Sequence, residues 1–140
     1  MLQGNTYEFK HLDEITLCTI KYKGKNFEGQ AILHNEDKDF GNDLTGEIIA
    51  AARAEIKVIQ YNIDEALSSL NTLHELYSCV KKGSPWATKI ISNRIYKQNK
   101  IYHGLVAEKR QLKKDLNDFI QAKNRLYIQL RERRKTEKEN

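Results

Sequence analysis

The chain has 140 residues, of which 39% are hydrophobic and 31% charged, with a formal net charge of +5 at pH 7. This length allows one domain, or one small module with an extension. A run of about 18 apolar residues is absent from the sequence, which excludes a membrane-spanning helix. The first five residues also lack the pattern of a signal peptide, so we expect a cytoplasmic protein.

The first 34 residues predict β-structure. β-Branched and aromatic residues dominate positions 14–22, and turn-forming residues follow at 23–26. Apolar or small residues then alternate along one face of a second strand: Phe27, Gly29, Ala31 and Leu33. We predict a β-hairpin here, with room for a third short strand at 6–10. A hairpin alone is marginal in water, so it must pack on a helix or on a second copy of itself.

Residues 35–43 form a polar, acidic segment with Phe40 in it. Its Asn and Asp side chains suit the N-terminus of the following helix, where they can cap backbone N–H groups. The spacing does not follow the Ca²⁺-binding loop of an EF-hand. We expect capping here, and no metal.

Two long helices follow. In the first, from about 43 to 82, apolar residues recur at alternating spacings of three and four, which is the coiled-coil pattern: Ile49, Ala52, Ile56, Ile59, Ile63, Ala66, Leu70, Leu73, Tyr77 and Val80. In the second, from 85 to about 134, the corresponding positions are Ile91, Ile95, Gln98, Tyr102, Leu105, Lys109, Leu112, Leu116, Phe119, Lys123, Leu126 and Leu130. We call these two sets the seam.

A turn at 83–84 separates the helices, with Ser84 as the expected N-cap and Pro85 as the first helical residue. So short a connection makes the helices antiparallel and pairs positions whose numbers sum to about 167, such as Ala66 with Tyr102. The predicted fold class is therefore α+β, mostly α. It consists of an N-terminal β-hairpin and acidic loop (1–42), a long antiparallel two-helix coiled-coil hairpin (43–134) and a frayed basic tail (135–140).

Charge is distributed unevenly along the chain. Residues 1–80 contain 7 basic and 13 acidic side chains, whereas residues 81–140 contain 17 basic and 6 acidic ones. Either the two halves face each other within one fold or dimer, or the basic half binds an acidic partner.

Two helices cannot bury every apolar side chain that the sequence provides. Several lie outside the seam: Leu67, Leu76, Ile90, Tyr96, Ile101, Val106 and Ile120. This surplus predicts a homodimer or docking on another protein.

The sequence contains no pattern typical of an active site. Nucleophile, phosphate-loop and dinucleotide-binding motifs are absent, and the four histidines are too widely spaced for a helical metal site. Cys18 and Cys79 are too few for a disulfide framework. We expect no enzyme, no catalytic residue, no cofactor and no metal.

Candidate binding residues are mostly basic. The second helix carries Lys109, Arg110, Lys113, Lys114, Arg125, Arg131, Arg133 and Arg134, which could contact an acidic partner or the phosphates of a nucleic acid. Arg53 lies among small residues, where its guanidinium could hold an anion, with Phe40 or Tyr61 stacking on a base. The alternative for Arg53 is an ion pair within the fold.

Residues 27–57 resemble a segment of small accessory proteins from phages and prophages of low-GC bacteria. The similarity consists of a strand, an acidic loop and a helix start, carried by Gly29, Ala31, Asp37, Asp39, Phe40, Gly46, Ala50, Arg53 and Ala54. The proline common in such loops is absent here. The resemblance implies an anti-defence protein in the cytoplasm of a bacterial host.

Three functions remain open at this point. The first is a non-enzymatic inhibitor that binds a host defence protein, such as a CRISPR nuclease, through the helical hairpin. The second is a basic helical module that binds nucleic acid. The third is a dimeric sponge for a nucleotide immune signal, with Arg53, Phe40 and Tyr61 as its anchors.

Overall fold

A computed structural model describes residues 6–33 and 43–139. It contains three strands, β1 (Tyr7–Leu12), β2 (Ile15–Tyr22) and β3 (Lys25–Ile32), followed by two helices, α1 (Asp43–Val80) and α2 (Pro85–Glu139). The predicted α+β, mostly α fold is confirmed. Phe40 and most of the acidic loop lie outside the described residues.

The strands form one antiparallel sheet in the order β1-β2-β3. β1 is a full strand of the sheet, two residues longer at its end than the short strand allowed at 6–10. Lys23 and Gly24 both have positive φ, 50° and 74°, as a two-residue hairpin turn between twisted strands requires. The sheet is therefore a meander rather than a single hairpin.

The described residues fall into two compact units. Unit 1 takes in the described parts of Met1–Val58 and Leu112–Asn140, and unit 2 is Ile59–Gln111. Unit 1 thus contains the whole sheet, the beginning of α1 and the end of α2. Unit 2 contains the rest of both helices and the turn between them.

The core of unit 1 lies between the sheet and α1. The sheet contributes Cys18, Ile20 and Ala31, and α1 contributes a run of buried side chains: Ile49, Ala50, Ala54 and Val58. Partly buried side chains of α2 pack against the same cluster: Leu116, Phe119 and Ile120. The beginning of α1 is consequently buried on two sides, which a two-helix coiled coil alone would not require.

The seam is buried or half-buried at every predicted position except Leu126, which is 49% exposed. Tyr127 is buried in its place, with 3% of its surface exposed. A strict heptad pattern drifts by about 20° per heptad relative to a straight α-helix. Extrapolating five heptads from Ile91 therefore misplaces the buried face by about one residue.

One contact in unit 2 reports the pairing of the helices directly. The Lys109 ammonium of α2 donates a hydrogen bond to the Gln60 side-chain oxygen of α1. Their numbers sum to 169, close to the predicted 167. This contact fits an antiparallel pairing about the 83–84 turn.

α2 continues to Glu139, beyond the predicted end near Arg134. Residues 135–139 contain Lys and Glu, which favour helix, and no Gly or Pro. Within residues 6–33 and 43–139, neither helix is long and apolar enough to cross a membrane.

Candidate interaction surface of the helical hairpin

Gly29 brings the sheet into direct contact with the α1 backbone. A Cβ at this position would lie 2.9 Å from the carbonyl carbon of Arg53, and closer still to the Ala50 carbonyl oxygen and the Ala54 nitrogen. Only glycine leaves enough space for this approach. The strand face predicted from Phe27, Gly29, Ala31 and Leu33 is buried or half-buried, as expected.

Polar side chains tie the sheet to α1. The Tyr7 hydroxyl donates to the Glu55 carboxylate. Arg53 donates through Nη1 to the backbone oxygen of Gln30, at 2.7 Å. Arg53 thus bonds a carbonyl on the edge strand β3, and the ion pair considered from the sequence stays a prediction.

His11 lies within a small polar cluster at the N-terminus of α1. Its Nε2 is 3.0 Å from Glu47 Oε1, and its Nδ1 is 3.3 Å from Thr16 Oγ1 and 3.8 Å from Asp43 Oδ1. A Cβ on Gly46 would lie 2.7 Å from Thr16 Oγ1, so the helix closely covers this hydroxyl. The cluster therefore links β1, β2 and the beginning of α1.

A cavity of about 110 Å³ adjoins this cluster in unit 1. Its lining combines polar and apolar groups, including His11, Thr16, Ile49, Lys123 and Tyr127. Pockets for drug-sized ligands are typically about 300–1,000 Å³. This cavity is therefore smaller than a typical ligand pocket.

The predicted basic binding residues differ in how exposed they are to solvent. Lys109 is half-buried and bonded to Gln60, and Arg131 is half-buried. The others are exposed along α2: Arg110, Lys113, Lys114, Arg125, Arg133 and Arg134. Of the proposed ligand anchors, Arg53 belongs to unit 1 and is bonded to Gln30, Tyr61 is half-buried in unit 2, and Phe40 lies outside the described residues.

The most exposed aromatic side chains of the described chain lie in unit 2, on α2. Trp86 is 74% exposed and Tyr96 is 61% exposed. They belong to one line of exposed positions at helical spacings of three and four: Trp86, Lys89, Asn93, Tyr96 and Lys100. We call this line the aromatic–basic stripe.

The local structure holds these side chains on a well-formed helix. Ser84 Oγ accepts a hydrogen bond from the Ala87 N–H at 3.3 Å, which confirms the predicted N-cap. The Thr88 hydroxyl donates to the Ser84 carbonyl at 2.9 Å. Lys100 Nζ lies 4.7 Å from the centre of the Tyr96 ring, within cation–π range. Aromatic and cationic groups are thus presented together on a preformed surface.

Sequence reasoning missed this stripe. From the sequence alone, Trp86 has no predicted role and Tyr96 is included only among the surplus apolar side chains. The signal that could have identified the stripe is the spacing itself, because positions 86, 89, 93, 96 and 100 avoid the seam and share one helix face.

Comparison of the chain with protein-family models, with curated proteins and with solved structures finds no match. Its function therefore has to be inferred from the surfaces described above.

Proposed function

We propose that this chain is a non-catalytic binding protein that attaches to another protein through the aromatic–basic stripe and acts as a homodimer. On the resemblance of residues 27–57, we further propose that it is a phage-type accessory protein. Its partner would then be a host defence protein, such as a CRISPR nuclease, that it inhibits by binding.

The exposure of Trp86 carries this proposal. Trp and Tyr are among the side chains that contribute most binding energy at protein interfaces. Burial of a water-exposed indole removes a large apolar surface from water, which favours binding. Trp86 is 74% exposed on a capped helix, so little ordering is needed before it binds.

The chemistry of the stripe indicates the kind of surface it fits. Two aromatic side chains require an apolar groove or pockets, and the lysines beside them favour carboxylates at its rim. We infer a partner with an apolar groove bordered by acidic residues. Inhibition would then follow from holding that partner in one conformation or from covering an acidic surface. A nucleic-acid channel, which is basic, would not attract this face.

The proposal can be tested by comparative capture from lysate of a low-GC bacterium. Wild-type protein, Trp86→Ala and an Ile128→Ala control are immobilised, and the proteins retained by each are identified. Ile128 is 47% exposed but belongs to unit 1, so this variant removes exposed apolar surface away from the stripe. We expect a host protein to be retained by wild type and control and lost with Trp86→Ala.

The retained protein is then purified and its affinity measured for all three. We expect Trp86→Ala to raise Kd by about tenfold or more, the effect of losing a binding hot spot. Equal affinities for wild type and Trp86→Ala would contradict the proposal. If the partner is a nuclease, its cleavage of DNA should fall with wild type and control and be unchanged by Trp86→Ala.

Nucleic-acid binding is the second candidate, favoured by the exposed basic side chains of α2. In residues 112–139, nine basic side chains accompany five acidic ones. Binding to phosphates should weaken steeply between about 50 and 200 mM salt. Retention of DNA or RNA that does not change across this range would exclude a phosphate-driven mechanism.

The nucleotide sponge gains no supporting observation. Arg53 is bonded to Gln30, and Phe40 lies outside the described residues. A melting temperature that rises with millimolar cyclic nucleotide would reopen it.

A further inference from the structure

A second line of exposed residues runs along α2 in unit 2, on a different face from the aromatic–basic stripe. It comprises Ile90, Arg94, Lys97, Ile101 and Gly104, spaced by four, three, four and three residues. Ile101 is 54% exposed and Ile90 is 48% exposed. We call this line the Ile101 stripe. Each member directly precedes a seam residue, so the stripe borders the contact between the two helices.

No contact among the described residues requires a glycine at position 104. Apart from its two chain neighbours and the adjacent backbone of its own helix, no heavy atom within residues 6–33 and 43–139 lies within 4 Å of where its Cβ would be. A glycine inside a helix makes that helix less stable than an alanine would. Such a glycine is useful where another backbone must approach closely.

α1 supplies matching positions on the same side of the helix pair. In an antiparallel pair, the residues that precede seam positions lie on one side for both helices. On α1 within unit 2 these are Asn62, Glu65, Ser69, Thr72, Leu76 and Cys79. Leu76 is 47% exposed. The Thr72 hydroxyl donates to the Ser68 carbonyl at 3.1 Å, so its polar group is already bonded within the helix. This side thus combines small residues with three half-exposed aliphatic ones.

Charge indicates what covers this side. On this side of unit 2, α1 carries one acidic side chain, Glu65, and no basic one, whereas the Ile101 stripe carries Arg94 and Lys97 and no acidic one. A two-fold axis parallel to the helices would place α1 of one copy against α2 of the other. Each acidic helix would then face a basic one, and the same patch would complement itself.

We propose that the Ile101 stripe and the facing side of α1 are the interface of a homodimer, in which two helical hairpins pair as a four-helix arrangement. The inference rests on the dimer in the proposed function and names the surface that forms it. Ile90, Ile101 and Leu76 supply the apolar area, and Gly104 allows the helices to approach.

The test is light scattering after size-exclusion chromatography, over a concentration series, on the full chain. We expect the wild type to have twice the monomer mass of 16.3 kDa. Ile101→Lys places a charge at the centre of the interface and should raise the dimer dissociation constant about tenfold or more. Because Ile101 is exposed in the single chain, helicity by circular dichroism should be unchanged.

Gly104→Leu gives a second test, because leucine should have opposite effects on an open surface and at an interface. Leucine favours helix more than glycine, so on an open surface it would stabilise the protein. At a close helix–helix contact it should instead weaken the dimer. The matched control is Tyr96→Lys, which changes an exposed aromatic residue of the same helix on the other face and should leave the dimer intact.

The outcomes separate this inference from the rest of the proposed function. A dimer that survives both Ile101→Lys and Gly104→Leu would overturn the interface while leaving dimerisation standing. A wild-type monomer at all concentrations would overturn the dimer and its interface together, while partner binding through Trp86 would be unaffected. Loss of the dimer with both variants, but not with Tyr96→Lys, would support the interface.

Discussion

Gly29 shows how a single residue determines the contact between the sheet and α1. Its missing side chain lets the strand lie directly on the helix backbone at Ala50, Arg53 and Ala54. Backbone atoms cannot move aside as a side chain end can, so any larger residue must separate the two elements.

We therefore expect Gly29→Ala to lower the free energy of unfolding by about 1–3 kcal/mol. Gly83→Ala is the matched control, because its Cβ would make an ordinary contact 3.7 Å from the Val80 carbonyl and its φ is not in the left-handed region. Urea denaturation measures both. Equal stabilities for the two variants would contradict the close packing at Gly29.

Cys18 and Cys79 should differ in reactivity. Cys18 is fully buried, and burial together with the nearby Glu55 and Glu47 carboxylates raises its pKa from 9.0 to about 11. Cys79 is exposed. Because the thiolate is the reactive form, we expect a thiol reagent at pH 8 to modify only Cys79 in the native protein and both after unfolding. Rapid modification of Cys18 in the native state would contradict its burial.

The raised pKa of Cys18 also predicts that the stability of the protein depends on pH. Between pH 9.0 and about 11 the unfolded chain loses the Cys18 proton while the folded chain retains it. Stability should therefore fall as pH rises through this window. Cys18→Ala should show a shallower decline over the same range, and parallel curves for the two proteins would contradict the prediction.

At the scale of the helices, Tyr127 is buried where the heptad pattern predicted Leu126 to be. Variants of these two residues test where the buried face of α2 lies. Tyr127→Ala should cost about 3–5 kcal/mol, as for other buried aromatic residues. Leu126→Ala should cost about 1 kcal/mol or less, because half of the side chain is already in water. Thermal or urea unfolding measures the loss of stability in each variant. A greater loss of stability for Leu126→Ala than for Tyr127→Ala would contradict the burial of Tyr127 and support the heptad register predicted from the sequence.

The elements could be predicted from the sequence because their signals are local. β-Branched and aromatic residues indicated β2, and alternation indicated β3. Apolar spacing indicated the seam, and Gly83-Ser84-Pro85 indicated the turn. The His11 cluster could not be predicted, because His11 is 36 residues from Glu47 and only the packing of the sheet on α1 brings them together. The aromatic–basic stripe was overlooked for another reason. Local patterns identify buried faces, whereas the value of an exposed face depends on a partner that the sequence does not contain.

At the scale of the whole molecule, the two units have different properties. Unit 1 contains the sheet, the glycine contact and the fully buried cluster around Cys18, Ile20 and Val58. Unit 2 contains the two exposed stripes of α2. We therefore expect variants of the stripes to change binding or association while the core around Cys18 keeps its stability.

Burial of Trp86 by a partner can be measured at that residue alone. Trp86 is the only tryptophan in the chain, so labelling with fluorotryptophan gives one ¹⁹F signal, whereas an unlabelled partner gives none. We predict that the signal shifts, and becomes protected from solvent, when the purified partner is added in saturating amount. Tyr96→Ala should weaken the binding seen by this signal. A complex that forms while the Trp86 signal stays unchanged would contradict the proposal.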